Sequence, residues 1–211
     1  MSIVSSSGAG PVIASSGEEL REVAFGRRTP MSPAGYMLKK VCLKASWIGA
    51  SAVKDIYSVS GCISECFADY IGHWRHNGYW LFNRPSDMDE IIKQAGIDRS
   101  GLTLFYYEVY EQQVDERTKT WSMFAPEASF VTEVKKPTRS RLEGFDVVSF
   151  SVGSSPECSP LSCNSLADEI KTNQHCLMET LEDARVALEA GRFDNSEPGP
   201  FRIFAVYTVE D

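Results

Sequence analysis

The sequence has no apolar run approaching the ~18 residues that a membrane-spanning helix needs, so no membrane contact is predicted. Its first thirty residues lack the basic head and the apolar centre of a secretory signal peptide. We therefore expect a cytoplasmic protein whose six cysteines are mostly reduced thiols.

Recognisable catalytic motifs are also missing. There is no phosphate-binding Walker loop, no dinucleotide glycine fingerprint and no HExxH zinc motif. Residues 49–53 approach the nucleophile elbow of hydrolases, but they end in valine where that motif has glycine. The sequence therefore names no catalytic residue and no cofactor, and it favours a protein that is not an enzyme.

Positive charge is scarce in the second half of the chain. Residues 127–211 contain 8 Lys and Arg against 15 Asp and Glu, which accounts for most of the net charge of −8. Nucleic-acid binding needs clustered Lys and Arg, so a nucleic-acid partner is not predicted. An acidic surface suits a protein partner with a basic surface, although acidity that only maintains solubility is the simpler interpretation.

The most informative pattern present is a repeat. Residues 55–66 (DIYSVSGCISEC) and 146–158 (DVVSFSVGSSPEC) share an aspartate, two serines, a glycine, a glutamate and a cysteine. Further along, a shift of 96 residues pairs Asn77 with Asn173, and a shift of 99 lays residues 104–111 over 203–210. We interpret this as an internal duplication, with chance alignment as the alternative.

Each copy is predicted to run β-β-α-β-α-β, which is typical of an α+β fold with mixed sheets and a pseudo-twofold arrangement. The local signals include a helix over 62–76, a helix from Pro85 to Gly96, and a helix with a capping box at Thr180 and Asp183. Edge strands are predicted at 37–45 and 128–135. The predicted division is a flexible N-terminal extension (1–35), a first repeat (36–111), a connection (112–126) and an acidic second repeat (127–211).

Two groups of cysteines and histidines resemble zinc ligands. The first follows helical spacing on one face of the predicted helix 62–76, and the second lies in the other copy. Ligands along one straight helix cannot surround a tetrahedral ion, and only Cys66 and Cys158 correspond between the copies. We therefore predict no metal site and expect buried cysteines. The two groups are Cys62, Cys66, His73 and His76, and Cys158, Cys163, His175 and Cys176.

Six residues are candidates for a binding site: Glu65, Cys66, Glu157, Cys158, Cys163 and His175. In the structural interpretation the repeated serines, glycine and cysteine pack the fold, and in the functional one they line a polar pocket in each copy. A glutamate precedes each repeated cysteine, and a neighbouring carboxylate raises the pKa of a thiol, which argues against a reactive thiolate.

Our leading hypothesis is a non-catalytic binding protein, resembling an inhibitor or immunity protein in role, whose acidic second copy and loop 154–164 meet a basic protein partner. Aromatic residues outside the helical stripes, namely Trp80, Trp121 and Phe124, support a partner surface. The rival hypothesis is a small enzyme or ligand-binding protein with its site between the copies, using Glu65, Glu157, Cys163 or His175. Self-association is a third outcome.

Overall fold

A computed structural model describes residues 31–61, 77–124, 133–150 and 158–210. In chain order its elements are β1 (Met31–Lys40), β2 (Cys42–Leu43), β3 (Asp55–Ile56), α1 (Pro85–Ala95), β4 (Leu102–Val114), β5 (Trp121–Met123), β6 (Ser140–Ser149), α2 (Pro160–Cys163), a 3₁₀ helix (Leu166–Asp168), α3 (Leu181–Glu189) and β7 (Phe201–Val209). None of the helices in these ranges is long and apolar enough to cross a membrane.

One antiparallel sheet forms the centre of the fold. Its strands lie in the order β1-β4-β7-β6, with β5 beside the end of β4, while β2 and β3 form a separate two-stranded ribbon. The predicted α+β class is confirmed. The prediction of mixed sheets is wrong for the described strands, because every pair among them is antiparallel. β4 runs antiparallel to the edge strand β1, and β7 runs antiparallel to the edge strand β6. The helices therefore do not connect parallel strands.

Both faces of the central strands are buried. Residues 201–206 of β7 are all buried, although successive side chains of a strand point to opposite faces. The alternation predicted for residues 146–150 is present in β6, where Val148 and Phe150 join one apolar cluster and Val147 joins the other. The sheet is therefore packed on both sides, and any polar side chain pointing from its centre is withdrawn from water.

Local sequence signals place the two longer helices correctly. α1 begins at Pro85 and ends before Gly96, which adopts the left-handed conformation with φ of 66°. The N–H of Asp183 donates to the Thr180 hydroxyl at 3.0 Å, which is the predicted cap of α3. Met88 of α1 and Ala184 of α3 are fully buried, so each helix presents its apolar stripe to the sheet.

Each edge strand meets a short loop that precedes a helix. On β1, Tyr36 exchanges backbone hydrogen bonds with Phe82 at 2.7 and 3.0 Å, and on β6, Phe145 exchanges them with Met178 at 2.8 Å in both directions. Within residues 79–82 (YWLF), only Phe82 takes part in strand pairing, through this single bridge. Both edges are therefore covered over part of their length, which limits pairing with other chains.

The same asparagine geometry fixes both loops. Asn77 Nδ2 donates to a carbonyl of β1 at 2.7 Å, and its Oδ1 accepts from the N–H groups two and four residues further along, at 2.9 and 3.1 Å. Asn173 does the same with β6, at 2.7, 2.9 and 3.2 Å. Opposite these loops stand Gly35 and Gly144, whose φ angles are 144° and 150°. A side chain at either glycine would collide with its loop.

The repeat that begins at residues 55 and 146 does not coincide with matching elements. Asp55 begins β3 in the small ribbon, whereas Asp146 lies in the middle of β6 in the main sheet. Shared small and polar residues therefore aligned two segments of different structure, and the internal duplication is not confirmed. The predicted helix 62–76 lies outside the described residues.

The predicted boundaries shift where strands extend beyond them. β1 begins at Met31, so residues 31–35 belong to the sheet and not to an extension. The predicted connection 112–126 contains the end of β4 and all of β5. Of the strand predicted at 128–135, residues 133–135 are irregular, and the rest lie outside the described residues. β4 and β7 also unite the two predicted repeats in one sheet.

Candidate functional site

Three of the six candidate residues fall in the described part of the chain. Cys158, Cys163 and His175 are described, whereas Glu65, Cys66 and Glu157 lie outside it. The structure places the three in separate surroundings, as their contacts demonstrate.

Two of the three described thiols of the second half, Cys158 and Cys176, are buried, and Cys163 is partly exposed. The Cys158 thiol is buried and donates to Asn164 Oδ1 at 3.3 Å. Cys163, at the end of α2, lies 4.0 Å from the Ser60 hydroxyl. Burial raises the pKa of Cys176 to about 12, so this thiol stays protonated at neutral pH and is a poor nucleophile.

His175 is enclosed by partners on all sides of its ring. The ring stacks on Tyr57 with centroids 4.1 Å apart, and its side chain is only 13% exposed. Nδ1 lies 2.6 Å from Asp55 Oδ1, while Nε2 lies 3.7 Å from Glu143 Oε2 and 3.2 Å from Gln174 Nε2. Both nitrogens have partners within the protein, so the histidine ties the β2–β3 ribbon to β6.

No set of three His, Cys, Asp or Glu side chains among the described residues is placed to hold a metal ion. Two members of the predicted second group have other partners, since Cys158 contacts Asn164 and His175 contacts Asp55. The first group lies outside the described ranges.

A buried lysine and a buried aspartate hold one extended segment across the fold. Lys39 of β1, which is 2% exposed, donates from Nζ to the carbonyls of residues 58, 59 and 60 at 2.6, 2.8 and 2.8 Å. On the other side, Asp146 Oδ2 accepts from the Val59 N–H at 2.8 Å and from the Ser159 hydroxyl at 2.6 Å. The Lys39 ammonium donates to the carbonyls, and the Asp146 carboxylate accepts from an N–H. Each side chain therefore forms hydrogen bonds with backbone groups that water cannot reach.

Asp146 has the most strongly shifted carboxyl group among the described residues whose pKa is resolved. Burial raises its pKa to about 6, although hydrogen bonds from Ser159 and Val59 and the charge of Lys39 act in the opposite direction. Its Oδ1 is buried without a hydrogen-bond partner. A carboxyl that titrates near neutral pH is useful in catalysis, but this one is 1% exposed and enclosed by its own chain. We assign it a structural role.

A second buried carboxylate, Glu108, lies at the centre of the other sheet face. It accepts hydrogen bonds from the hydroxyls of Tyr106 and Tyr207, each at 3.2 Å, and forms an ion pair with Lys136. Burial raises the pKa of Tyr207 to about 12, so the hydroxyl remains protonated and donates. The sequence analysis missed this cluster, although glutamate inside the aromatic run of 104–110 was a signal for it.

Two of the aromatic residues expected on a partner surface are used internally. Trp121 packs edge-on against Tyr110 and donates from Nε1 to Glu189 at 3.0 Å. Phe124 lies over the guanidinium of Arg202. Trp80 adopts a left-handed backbone conformation with φ of 55° and is partly exposed. Both side chains are also partly exposed, so their place on a partner surface stays a prediction.

A concave surface of about 430 Å³ lies beside α3 in the acidic half of the chain. Its floor is apolar and includes Val186, which is 52% exposed. Three carboxylates and two basic side chains stand around it. The basic side chains are Lys171 and Arg192, the carboxylates Glu169, Glu179 and Asp183, and the floor Ile170, Met178, Val186, Ala187 and Ala190.

The charges around this surface are only partly neutralised. Lys171 and Glu179 form an exposed ion pair at 3.4 Å, and Arg192 donates to the backbone carbonyl of Glu169 at 2.9 Å. Glu169 forms no ion pair with any described residue. The rim therefore retains negative charge that a cation of another molecule can meet.

Comparisons of the chain with protein-family models, with curated proteins and with solved structures gave no match. The case for function therefore depends on the geometry alone.

Proposed function

We propose that this protein is a non-catalytic interaction module whose acidic second half binds a basic segment of a partner protein in the concave surface beside α3. The observation that supports it is the make-up of that surface, an apolar floor with three carboxylates and two basic side chains around it, which leaves one net negative charge. A segment bearing lysine or arginine next to an apolar side chain would match both parts. Masking a cationic surface, as inhibitors and immunity proteins do, is the form of this function that we expect.

The described chemical groups favour binding over catalysis. His175 has both nitrogens engaged, and the Cys176 thiol has a raised pKa. Asp146 is enclosed by its own chain. Catalysis needs such a group within hydrogen-bond reach of a substrate. The concave surface requires no such group, because binding needs only complementary shape and charge.

The charged and the apolar residues of this surface would contribute to binding in different ways. Exposed ion pairs contribute a median of about 0–1 kcal/mol each, so the carboxylates alone give little affinity. They would instead speed association and select a basic partner. Contact with the exposed Val186 and the rest of the apolar floor would supply most of the binding free energy.

The test is a pull-down with the full chain, the double variant E169Q/E179Q and the charge-matched control D89N/E90Q, whose changes lie on α1. We expect a partner retained by wild type and control at about 0.1 M salt, where the Debye length is about 10 Å, and released at about 1 M. The rim variant should lose it at both concentrations. Retention by E169Q/E179Q equal to that by wild type would exclude this surface, and retention at both salt concentrations would exclude electrostatic capture.

We also propose that the two halves of the sheet derive from one ancestral unit, aligned so that Gly35 corresponds to Gly144 and Asn77 to Asn173. The matching asparagine hydrogen bonds and glycine conformations support this alignment. Under it β1 corresponds to β6 and β4 to β7, which gives a pseudo-twofold arrangement between the two central strands. The pairing of residue 55 with residue 146 is abandoned.

This alignment also makes the proposed binding surface specific to the second half. At the 96-residue shift, the positions of Glu169 and Glu179 correspond to His73 and Asn83, so the first half lacks two of the three carboxylates. A function acquired by one copy after duplication would leave this difference. It also explains why substitutions on α1 are a suitable control for those beside α3.

A further inference from the structure

Arg202 of β7 is a buried cation at the junction of three strands. It pairs with Gln113 of β4 on one side and with Val148 of β6 on the other, and it is 3% exposed. Its side chain shares a sheet face with Phe204, two residues further along the strand. An arginine in this position is withdrawn from water on every side.

Aromatic rings cover the guanidinium group. Its central carbon lies 3.3 Å from the centroid of Phe124 and 4.0 Å from that of Phe150. Tyr79 lies close enough to influence the pKa of Arg202, but burial raises the pKa of Tyr79 itself to about 12, so its hydroxyl is neutral at physiological pH. Contacts with aromatic faces stabilise a desolvated cation, and they supply no counter-charge.

The hydrogen bonds of this guanidinium are incomplete. Nη2 donates to Gln113 Oε1 at 2.7 Å, whereas Nε and Nη1 are buried and have no hydrogen-bond partner among the residues that the structure describes. No carboxylate of the described residues forms an ion pair with Arg202. Burial lowers the pKa of Arg202 to about 10, so the group remains charged at neutral pH.

Arg185 illustrates what Arg202 lacks. It also lies near two aromatic rings, those of Tyr110 and Trp121, at 6.0 and 5.8 Å. Yet its side chain is 35% exposed, and it pairs with Glu182 and Glu189 at 3.3 and 3.4 Å. Within the described ranges the less buried arginine has two carboxylates and the more buried one has none, whereas the cost of an unpaired charge rises with burial.

We propose that Arg202, enclosed by Phe124, Phe150 and Gln113, is a binding site for a small oxyanion, a carboxylate or phosphate group that accepts hydrogen bonds from Nε and Nη1. Planar guanidinium donors suit these groups, and the surrounding rings keep water from weakening the contact. The burial of the site favours a small molecule over an exposed segment of a macromolecule. The site is independent of the acidic surface beside α3.

The test is calorimetric titration of the full chain in oxyanion-free buffer, with inorganic phosphate in one series and acetate in another. We expect saturable binding of one of the two at a single site in wild type and in the control R185M, and none in R202M. The two series separate phosphate from carboxylate recognition. Absence of binding of both anions to wild type, or equal binding to R202M, would overturn the proposal.

A second variant keeps the test decisive should R202M not fold. Q113E places a carboxylate where Nη2 already donates, and so supplies the missing negative charge from within the chain. In oxyanion-free buffer it should raise the melting temperature by about 2 °C or more, and it should weaken binding of the anion at least tenfold. An unchanged melting temperature together with unchanged anion binding would show that a nearby negative charge does not stabilise the Arg202 guanidinium.

Discussion

The substitution D146N should remove a pH dependence of stability that a single buried carboxyl imposes. Asp146 has a pKa of about 6 in the folded protein against an ordinary value of 3.8, because burial disfavours its charge. Between these two values the folded state keeps a proton that the unfolded state has lost. The free energy of unfolding therefore falls as pH rises through this window.

The size of the effect follows from the shift. One pKa unit corresponds to about 1.4 kcal/mol, so the ionised carboxylate costs the folded protein about 3 kcal/mol above pH 6. Asparagine has nearly the same shape and no charge, and its oxygen can still accept from Val59 and Ser159. Relative to wild type, D146N should therefore become more stable by about 3 kcal/mol between about pH 4 and pH 7.

The assay is urea unfolding of both proteins across this pH range, followed by the fluorescence of the four tryptophans. The control is D168N, which changes an exposed aspartate that accepts a single backbone N–H from Ala50 at 2.7 Å. We expect D168N to follow the pH profile of wild type. A stability difference between D146N and wild type that stays constant with pH would refute the reasoning, because the buried carboxyl would then not change its protonation in this range.

Two further predictions concern the loops beside the edge strands. Gly144→Ala should cost about 3 kcal/mol or more in thermal unfolding, because its Cβ would lie 2.7 Å from a backbone oxygen at a φ of 150°. Gly96→Ala has no atom within 4 Å and should cost about 1 kcal/mol; equal losses would argue against the predicted collision. Asn77→Ala and Asn173→Ala should each cost about 2–4 kcal/mol in urea unfolding, since each removes at least three hydrogen bonds. A loss at only one asparagine would contradict the proposed correspondence of the two halves.

The helix ends were predictable because they depend on interactions between residues that are close in the sequence. A proline at the first position, a glycine after the last and a threonine that caps an N–H act within one turn of chain. Pro85, Gly96 and Thr180 therefore gave helix ends that agree with the structure. Strand direction depends on contacts between residues about a hundred positions apart, which a pattern of alternating residues does not encode.

The repeated segments demonstrate the same limit. Residues 55–66 and 146–158 share side chains that many loops and strands use, such as serine, glycine and cysteine, and the structure places their first residues in different sheets. Asn77 and Asn173 share a specific task, since each bonds a neighbouring strand and its own loop. The match of these two asparagines was more informative about the structure than the longer matched segments. Its hydrogen bonds restrict which residue type can stand at this position.

Sequence analysis identified His175 but not its partners. Asp55 and Glu143, on segments 120 and 32 residues away, are brought to it only by the fold. Lys39 and Arg202 were missed, although each interrupts a strand of apolar residues, which is the signal that such a charge has an internal partner. That signal identifies a buried charge without identifying what pairs with it.

The buried charged residues on β1, β6 and β7 differ in whether a residue of opposite charge accompanies them, and this difference separates a structural role from a functional one. Lys39 and Asp146 have opposite signs and hold the same segment from two sides, so together they leave no net charge in the interior. Arg202 has no such counterpart in the described chain. Replacing a buried, unpaired cation by an apolar residue should leave the free protein as stable or make it more stable if the fold does not need the cation, and it should abolish anion binding if the cation serves a ligand. R202M that is as stable as wild type in oxyanion-free buffer, and that no longer gains stability from phosphate or acetate, would therefore assign this arginine to a ligand.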